Sequence, residues 1–275
     1  MEKLTMLGTG HAMTMDCFNT CYVYENENGK MLVDTGGGGQ LLRQMRGAGI
    51  SQRDIHHIFI SHRHTDHILG LPWLFRGPSW DSELNFYLHE DLMKVVPGML
   101  ELLFPDNMEH LPENVRFIPI FHGQDGEILG RKVRFLDLHS PNVPQFGYSM
   151  MLEGDRKLVF HGDVPFHESN RAEIQGADWL LHEAFHLESE PPMGGPGGPG
   201  SPPPMGGPGG PKGGPGHSTV KQAAAYAESL QVKHLLLFHG TDNDLAHRKE
   251  KYIAEAAQVF SGEIFAPNDL DVIEL

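Results

Sequence analysis

Cysteine is scarce in this chain, since Cys17 and Cys21 are the only two among 275 residues. Two thiols so close together, where a strand is predicted to begin, are weak support for the disulfide framework of a secreted domain. The N-terminal segment MEKLTMLGTGHAMTM also lacks the apolar stretch of a signal peptide. We therefore expect a cytoplasmic protein.

Long apolar runs are absent as well. No segment approaches the roughly 18 consecutive apolar residues that span a bilayer, so we expect a soluble protein without a membrane partner. Hydrophobic residues make up 39% of the chain and charged residues 21%, which is typical of a globular domain. A chain of this length can bury a substantial core.

Positive charge is in short supply. The chain has 21 Lys and Arg residues against 36 Asp and Glu residues, which gives a formal net charge of −15. Proteins that bind nucleic acid through its phosphates usually present a basic patch. The acidic balance therefore disfavours RNA as a partner, unless bound metal ions and a local basic cluster offset the repulsion.

Short apolar runs that alternate with amphipathic segments predict a layered α/β domain, in which helices cover packed sheets. Runs such as IFI (58–60) and LLLF (235–238) are too continuously apolar for a strand with one wet face, and they predict strands buried on both sides. Helices are predicted near 38–48, 68–76, 91–104, 168–176, 218–231 and 245–261. Strands are predicted near 3–8, 20–25, 30–35, 56–62, 84–89, 115–121, 132–139, 146–153, 157–162, 178–183, 233–239 and 271–275.

Residues 191–216 differ from the rest of the chain, with 12 glycines and 10 prolines among 26 residues. Such a composition cannot supply a core or a regular strand ladder, and it predicts a flexible insertion. The segment that follows, 218–275, is too short for an independent core and carries a histidine that the predicted site needs. We therefore expect a single domain over residues 1–275 that contains this insertion.

Histidine is abundant, with 18 residues, and several of them stand at one kind of place. Five predicted strands each end in a residue type that binds metals. In α/β sheets, sites collect at the carboxyl ends of strands, where loops converge over a rigid scaffold. A single strand-end histidine is more often structural, but five such ends together favour a metal site. The five residues are His62, His139, Asp163, His182 and His239.

The densest signal is a short loop directly after the IFI strand, which must curl tightly to aim its side chains together. Imidazole and carboxylate ligands without thiolate suit Zn²⁺, with Mn²⁺ or Fe²⁺ as alternatives. A solvated histidine-rich loop is the competing interpretation, and the apolar segments on both sides, IFI and ILGLPWLF, disfavour it. The ligand-type residues of the loop are His62, His64, Asp66 and His67.

The HRHTDH loop (62–67), together with GTG (8–10) and MLVDTGGG (31–38), resembles the metallo-β-lactamase superfamily. Within it the chain is most similar to the ribonuclease Z-like branch, over nearly its whole length apart from 191–216. The resemblance implies a four-layer αββα sandwich, with the site at one edge of its two sheets. Further segments that carry it are HSPNVPQFGY (139–148), HGD (161–163), HEAF (182–185), GHST (216–219) and LFHG (237–240).

The resemblance also implies a dinuclear metal centre, for which we expect two divalent ions, with zinc first and manganese or iron as alternatives. Carried over residue by residue, it places His62, His64 and His139 on one metal. The second metal would be held by Asp66, His67 and His239, with Asp163 bridging the two. Asp34 and the glycines after it are expected to shape a turn beneath the site.

Two features depart from the ribonuclease Z pattern. Phe185 stands where the His-Glu-Ala-Thr motif has its threonine. The chain also runs from Tyr148 to Asp163 without the flexible arm that would grip transfer RNA, and turns around Gly154 and Asp155 instead. We therefore predict that this chain does not process the 3′ end of transfer RNA.

Metal-dependent hydrolysis is the function that these features predict. Two metals could lower the pKa of a bridging hydroxide and neutralise charge on a phosphoryl or carbonyl oxygen. Asp66 would orient this nucleophile as well as bind metal, and His182 would give a proton to the leaving oxygen. The competing interpretations are a ligand-only role for Asp66 and a structural role for His182. His217 could orient the substrate, and the sequence disfavours this role.

The substrate stays open between chemical classes. We favour a small or cyclic phosphodiester or an RNA end, hydrolysed through the metal-bridged hydroxide. A carboxylic ester, lactone or amide is the alternative with the same metals. A non-catalytic metal-binding protein is disfavoured, because all seven ligand positions are filled, and the sequence is compatible with a homodimer.

Overall fold

The computed structural model describes residues 2–76, 83–109, 113–190 and 216–275. In chain order its strands are β1 (Lys3–Gly8), β2 (Cys21–Asn26), β3 (Gly29–Val33), β4 (Ile55–Phe59), β5 (Leu84–Leu88), β6 (Val115–Pro119), β7 (Asp125–Ile128), β8 (Arg131–Asp137), β9 (Phe146–Met151), β10 (Lys157–Phe160), β11 (Trp179–Glu183), β12 (His234–Phe238), β13 (Glu263–Phe265) and β14 (Val272–Glu274). Its helices are α1 (Gln40–Gly47), α2 (Thr65–Ile68), α3 (Leu71–Phe75), α4 (Glu90–Leu103), α5 (Pro105–Glu109), α6 (Arg171–Ile174), α7 (Val220–Ser229) and α8 (Leu245–Ala256), with 3₁₀ turns at Gln52–Asp54 and Glu168–Asn170.

The strands form two seven-stranded sheets, in the orders β14-β1-β2-β3-β4-β5-β6 and β13-β12-β11-β10-β9-β8-β7. Each sheet is mixed: β3 to β6 run parallel in the first, and β10 to β13 run parallel in the second. Parallel neighbours bring the carboxyl ends of their strands to the same edge of the sheet. In the first sheet, the residues that follow β4 lie at this edge. In the second sheet, the residues that follow β10, β11 and β12 lie at the corresponding edge.

Three hydrophobic clusters separate the layers. The central cluster lies between the two sheets and is rich in aromatic residues such as Phe59, Tyr148 and Phe160. A second cluster joins the first sheet to α1, α3 and α4, and a third joins the second sheet to α6, α7 and α8. Sheets buried on both faces need strands that are apolar on both faces, which IFI and LLLF supply. The predicted αββα sandwich of the metallo-β-lactamase fold is therefore confirmed.

The flanking helices follow local signals in the sequence. Helix α7 starts with a capping box, in which the Thr219 hydroxyl accepts from the Gln222 amide and the Gln222 side chain accepts from the Thr219 amide. Its buried face consists of Val220 and three alanines, which allow close approach to the sheet. The long predicted helices near 91–104, 218–231 and 245–261 correspond to α4, α7 and α8.

Parts of two predictions fall outside the described residues. The Gly/Pro-rich insertion predicted at 191–216 is described only at its last residue, Gly216. A single domain over residues 1–275 therefore stays a prediction. Over the four described ranges, no helix is both long and apolar enough to cross a membrane.

Candidate metal centre

The metal loop is held in place by Asp34, which follows β3. Its carboxylate accepts hydrogen bonds from the Ser61 amide at 2.7 Å and from the Ser61 hydroxyl at 2.7 Å. Thr35, the next residue, donates from its amide and hydroxyl to the His67 carbonyl, at 2.8 and 2.7 Å. The chain between β4 and α2 is therefore fixed at both ends to the β3 turn, as the tightly curled loop requires.

The first ligand group contains His62, His64 and Asp163, whose ligand atoms all lie within 4.8 Å of one another. The His62 Nε2 atom is 2.8 Å from the His64 Nδ1 atom and 3.5 Å from the Asp163 Oδ2 atom. The Ser61 hydroxyl lies 3.0 Å from His62 Nδ1, which turns Nε2 towards the group. His62 and Asp163 are buried, and His64 is exposed.

The second ligand group contains Asp66, His67 and His239, and all three side chains are buried. The Asp66 Oδ2 atom lies 3.4 Å from His67 Nε2 and 3.5 Å from His239 Nε2. Asp34 holds the opposite ring nitrogen of His67, Nδ1, at 2.7 Å. A carboxylate on one imidazole nitrogen leaves the other free to bind metal, which is the usual outer-shell arrangement of metal-binding histidine.

Asp163 connects the two groups. Its Oδ2 atom lies 3.5 Å from His62 Nε2 in the first group, and 3.3 and 3.4 Å from His67 Nε2 and His239 Nε2 in the second. Burial opposes its charge, but the neighbouring histidines outweigh burial and hold the pKa of Asp163 well below its usual range. An ionised carboxylate at this position suits the bridging role that the resemblance implies.

Several buried polar atoms at this edge lack a hydrogen-bond partner, although buried groups of this kind are nearly always paired. They include His67 Nε2, Asp163 Oδ1 and His239 Nε2. These atoms are of metal-ligand types and belong to residues of the two groups. The residues present therefore fit divalent metal ions, which would satisfy these atoms.

Two of the predicted site residues are not members of either close ligand group among the described residues. His139 is exposed, and its ring centroid lies 4.6 Å from that of His167 and 5.9 Å from that of His122. His182 is fully buried on the other face of β11, where its ring stacks on His161 at 5.0 Å. Neither residue belongs to the close ligand groups found among the described residues. This placement supports neither the ligand role predicted for His139 nor the catalytic role predicted for His182.

The neighbour of His182 faces the site instead. Side chains alternate along a strand, so if His182 faces the helices, Glu183 faces the metal groups. Glu183 is fully buried, accepts a hydrogen bond from the Ser218 amide, and lies 3.3 Å from His217 Nδ1 as an ion pair. Burial opposes the charge on His217, but Glu183 outweighs burial and raises the pKa of His217 to about 9.

Sequence reasoning missed Glu183 and His217 as a pair, and it also missed His11. Together with His239, Glu183 and His217 form a third close group, next to the second ligand group. The available signal was a glutamate at the end of a strand buried on both faces, because a buried carboxylate needs a partner. His11 follows the GTG turn, is 4% exposed, and its ring centroid lies 6.3 Å from that of His239.

Comparisons with known proteins agree with this fold. A ribonuclease Z from Thermococcus sibiricus is 25% identical over 323 aligned positions, which cover 100% of this chain and 97% of that protein. The metallo-β-lactamase fold protein YhfI from Bacillus subtilis superposes with a TM-score of 0.72 at 19% identity, covering 100% of both chains. The short form of human tRNase Z superposes with a TM-score of 0.69 at 23% identity, covering 99% of this chain and 98% of that one.

These similarities confirm the predicted enzyme class, a hydrolase of ribonuclease Z-like sequence and metallo-β-lactamase fold. They also support metal-dependent hydrolysis of a phosphodiester. The family model described as Anti-Pycsar protein Apyc1 matches residues 2–190, which is more than half of the chain and includes both ligand groups except His239. The chain belongs to the family of the anti-Pycsar protein Apyc1.

Proposed function

We propose that the chain hydrolyses small or cyclic phosphodiesters at a dinuclear metal site. One observation carries the proposal: two ligand groups meet at Asp163, and the ion pair of Glu183 and His217 lies beside them. The groups can hold two cations close together, and the ion pair offers a proton next to them. Phosphodiester hydrolysis needs charge neutralisation at phosphorus and a proton for the leaving oxygen.

Each ligand group would hold one of the two metal ions. His62, His64 and Asp163 would hold one ion, with His139 kept as a predicted further ligand. Asp66, His67 and His239 would hold the other, again with Asp163. When bound, two divalent ions, zinc first, would neutralise charge on the phosphoryl oxygens and lower the pKa of an attacking water.

Asp66 contributes a buried carboxylate to this site. Burial opposes its ionisation, but His67 and His239 outweigh burial and lower the pKa of Asp66. An ionised carboxylate accepts a hydrogen bond from water and so orients the nucleophile, in addition to binding metal. This is the role predicted from the sequence, and it is retained here.

His217 replaces His182 as the proposed proton donor. Hydrolysis adds hydroxide to phosphorus and a proton to the leaving oxygen, whose bond to phosphorus breaks. His217 holds a proton that Glu183 stabilises, its side chain is 29% exposed, and its ring centroid lies 5.2 Å from that of His239. His182 is fully buried against His161 and Tyr226 and hydrogen-bonds through Nδ1 to the Glu183 carbonyl at 2.7 Å, which disfavours it as the donor.

The preference for a small substrate rests on charge and on the connection between β9 and β10. These strands pair directly from Met151 opposite Lys157, and a short turn through Gly154 and Asp155 joins them. No arm emerges from this connection. The alignment with the ribonuclease Z from Thermococcus sibiricus has 323 positions, whereas this chain has 275 residues. About 48 residues of that protein therefore have no counterpart in this chain. With a net charge of −15, long RNA is disfavoured.

A substrate panel tests the proposal. Zinc-loaded protein is assayed on a cyclic nucleotide, a para-nitrophenyl phosphodiester, a phosphomonoester, a carboxylic ester, a lactone and a precursor transfer RNA. We expect turnover of both phosphodiesters, with the other four at least about 100-fold slower, because differential transition-state binding sets this ratio. Preference for the ester or lactone would favour the alternative class, and site-specific trimming of the precursor would contradict the argument from charge and architecture.

A further inference from the structure

Phe185 is the position where this chain departs from the His-Glu-Ala-Thr motif, and its ring contacts two imidazoles. On one face His217 stacks at a centroid distance of 4.7 Å, with 12° between the ring planes. The His11 ring lies at a centroid distance of 4.5 Å, tilted by 45°. Near-parallel stacking at this distance is a favourable arrangement for aromatic rings.

Two of these three rings, His11 and Phe185, belong to residues that are held by hydrogen bonds involving the backbone. The Met13 amide donates to His11 Nδ1 at 3.2 Å, which fixes the plane of the His11 ring. The Phe185 amide donates to the Ser218 carbonyl at 2.9 Å. The Phe185 carbonyl accepts from the Thr241 amide at 3.0 Å and from the Tyr252 hydroxyl at 3.1 Å. Phe185 is therefore anchored to the segments that follow both His217 and His239.

The Nδ1 atom of His217, by contrast, has no hydrogen-bond partner among the described residues. It follows Gly216, which has a φ of 99°, at the start of a described range. Its polar contact with Glu183 is an ion pair at 3.3 Å that lacks hydrogen-bond alignment, and neither His217 Nδ1 nor Glu183 Oε2 has another partner. An ion pair restrains one atom of the imidazole but leaves its plane free to turn. Stacking on Phe185 restrains the plane.

A different role for Phe185 would be a stacking platform for a planar group of the substrate. Its partial exposure beside the metal groups is compatible with such a role. His217 already stacks on one face of the ring, however, and the tilted His11 ring also lies within 4.5 Å of it. The stacking contact that the structure shows is with His217, so the geometry favours a role that acts through His217.

We propose that Phe185 is a positioning residue that aligns the His217 imidazole for proton transfer to the leaving oxygen. This inference rests on the proposed function. A proton donor matters in proportion to the basicity of the leaving group, since a good leaving group departs as the anion. The effect of Phe185 should therefore depend on the leaving group, whereas damage to the metal centre would slow all substrates alike.

The test compares Phe185→Leu with Phe185→Tyr, which keeps the ring. For Phe185→Leu we expect kcat to fall roughly tenfold on a phosphodiester with an alcohol leaving group. This is the factor by which the energy of one stacked aromatic pair can favour a single ring orientation. KM and the rate on a para-nitrophenyl phosphodiester should change less than about twofold, within the range of a surface substitution. Phe185→Tyr should behave like the wild type. Phe166→Leu is the matched control, because Phe166 also lies beside a buried histidine, His161, but on the far side of the sheet.

A second readout does not depend on activity. In the wild type and in Phe185→Tyr, the His217 ring protons should show the upfield NMR shift of a proton above an aromatic face, and Phe185→Leu should lose it. An unchanged shift in Phe185→Leu, or an equal loss of rate on both diesters, would overturn the positioning role. Failure of the wild type to cleave either diester would instead overturn the proposed function, while the NMR result would still report the stack.

Discussion

Replacing Asp163 with asparagine should abolish metal binding at both ligand groups. Phosphodiester turnover should then fall by at least about 100-fold, which is the usual effect of removing a group that stabilises charge in the transition state. The reason is its shared position, since Asp163 Oδ2 lies 3.3 to 3.5 Å from ligand nitrogens of both groups. Asparagine keeps the shape but removes the negative charge that offsets two cations. A residue that served one group alone would leave the other ion bound.

The measurement is elemental analysis of purified protein after zinc loading, alongside turnover. Asp106→Asn is the control, because Asp106 is an exposed carboxylate on α5. The control should bind as much zinc as the wild type. Retention of one full equivalent of zinc by Asp163→Asn would show that Asp163 does not bridge the two groups.

Replacing His217 with asparagine should reduce kcat by about 100- to 1,000-fold on a phosphodiester with an alcohol leaving group, the usual contribution of general acid catalysis. On a para-nitrophenyl phosphodiester the loss should stay below about threefold, because that leaving group needs no proton. Glu183→Gln should give the same pattern to a smaller degree, since the glutamine cannot stabilise the charge on His217.

His182→Asn distinguishes this account from the prediction made from the sequence alone. His182 is fully buried against His161 and Tyr226, so its replacement should lower the Tm and leave the ratio of rates on the two diesters unchanged. If His182→Asn changes that ratio and His217→Asn does not, His182 is the proton donor and the present assignment is wrong.

The fold and much of the site were predictable because their signals are local. Four ligand-type residues in one short loop, bounded by apolar segments, leave few other interpretations, and the structure gathers His62 and His64 with Asp163. Strand-end reasoning likewise identified Asp163 and His239, because parallel strands deliver their ends to one edge. These signals identify candidate ligands, whereas their division between two metals and the αββα sandwich came from the resemblance to the metallo-β-lactamase superfamily.

The face of a doubly buried strand was not predictable. In a strand with one wet face, polarity shows which side chains point inward, but β11 is buried along its whole length. Whether His182 or Glu183 faces the metals therefore depends on register, which no residue of WLLHE reveals. His139 presents a similar difficulty, because it follows β8 in a loop with a φ of 55°, and its direction depends on that backbone turn.

Short elements also escaped prediction. The edge strands β7 and β13 have four and three residues, too few to show a period. The helix predicted near 68–76 is instead two short helices, α2 and α3, separated at Gly70. The Gly70 amide donates to the Gly36 carbonyl, and a Cβ on Gly70 would lie 2.1 Å from the Thr35 carbonyl oxygen. This close approach of the β3 turn, which also holds the metal loop, interrupts the helix.

The most direct test of the central claim is a zinc titration of metal-free protein, with turnover of a para-nitrophenyl phosphodiester recorded at each addition. Two ligand groups that share Asp163 predict that activity rises to a plateau at two equivalents of zinc per chain, with little activity at the first equivalent. A plateau at one equivalent, or equal turnover with a chelator present, would contradict a dinuclear phosphodiesterase.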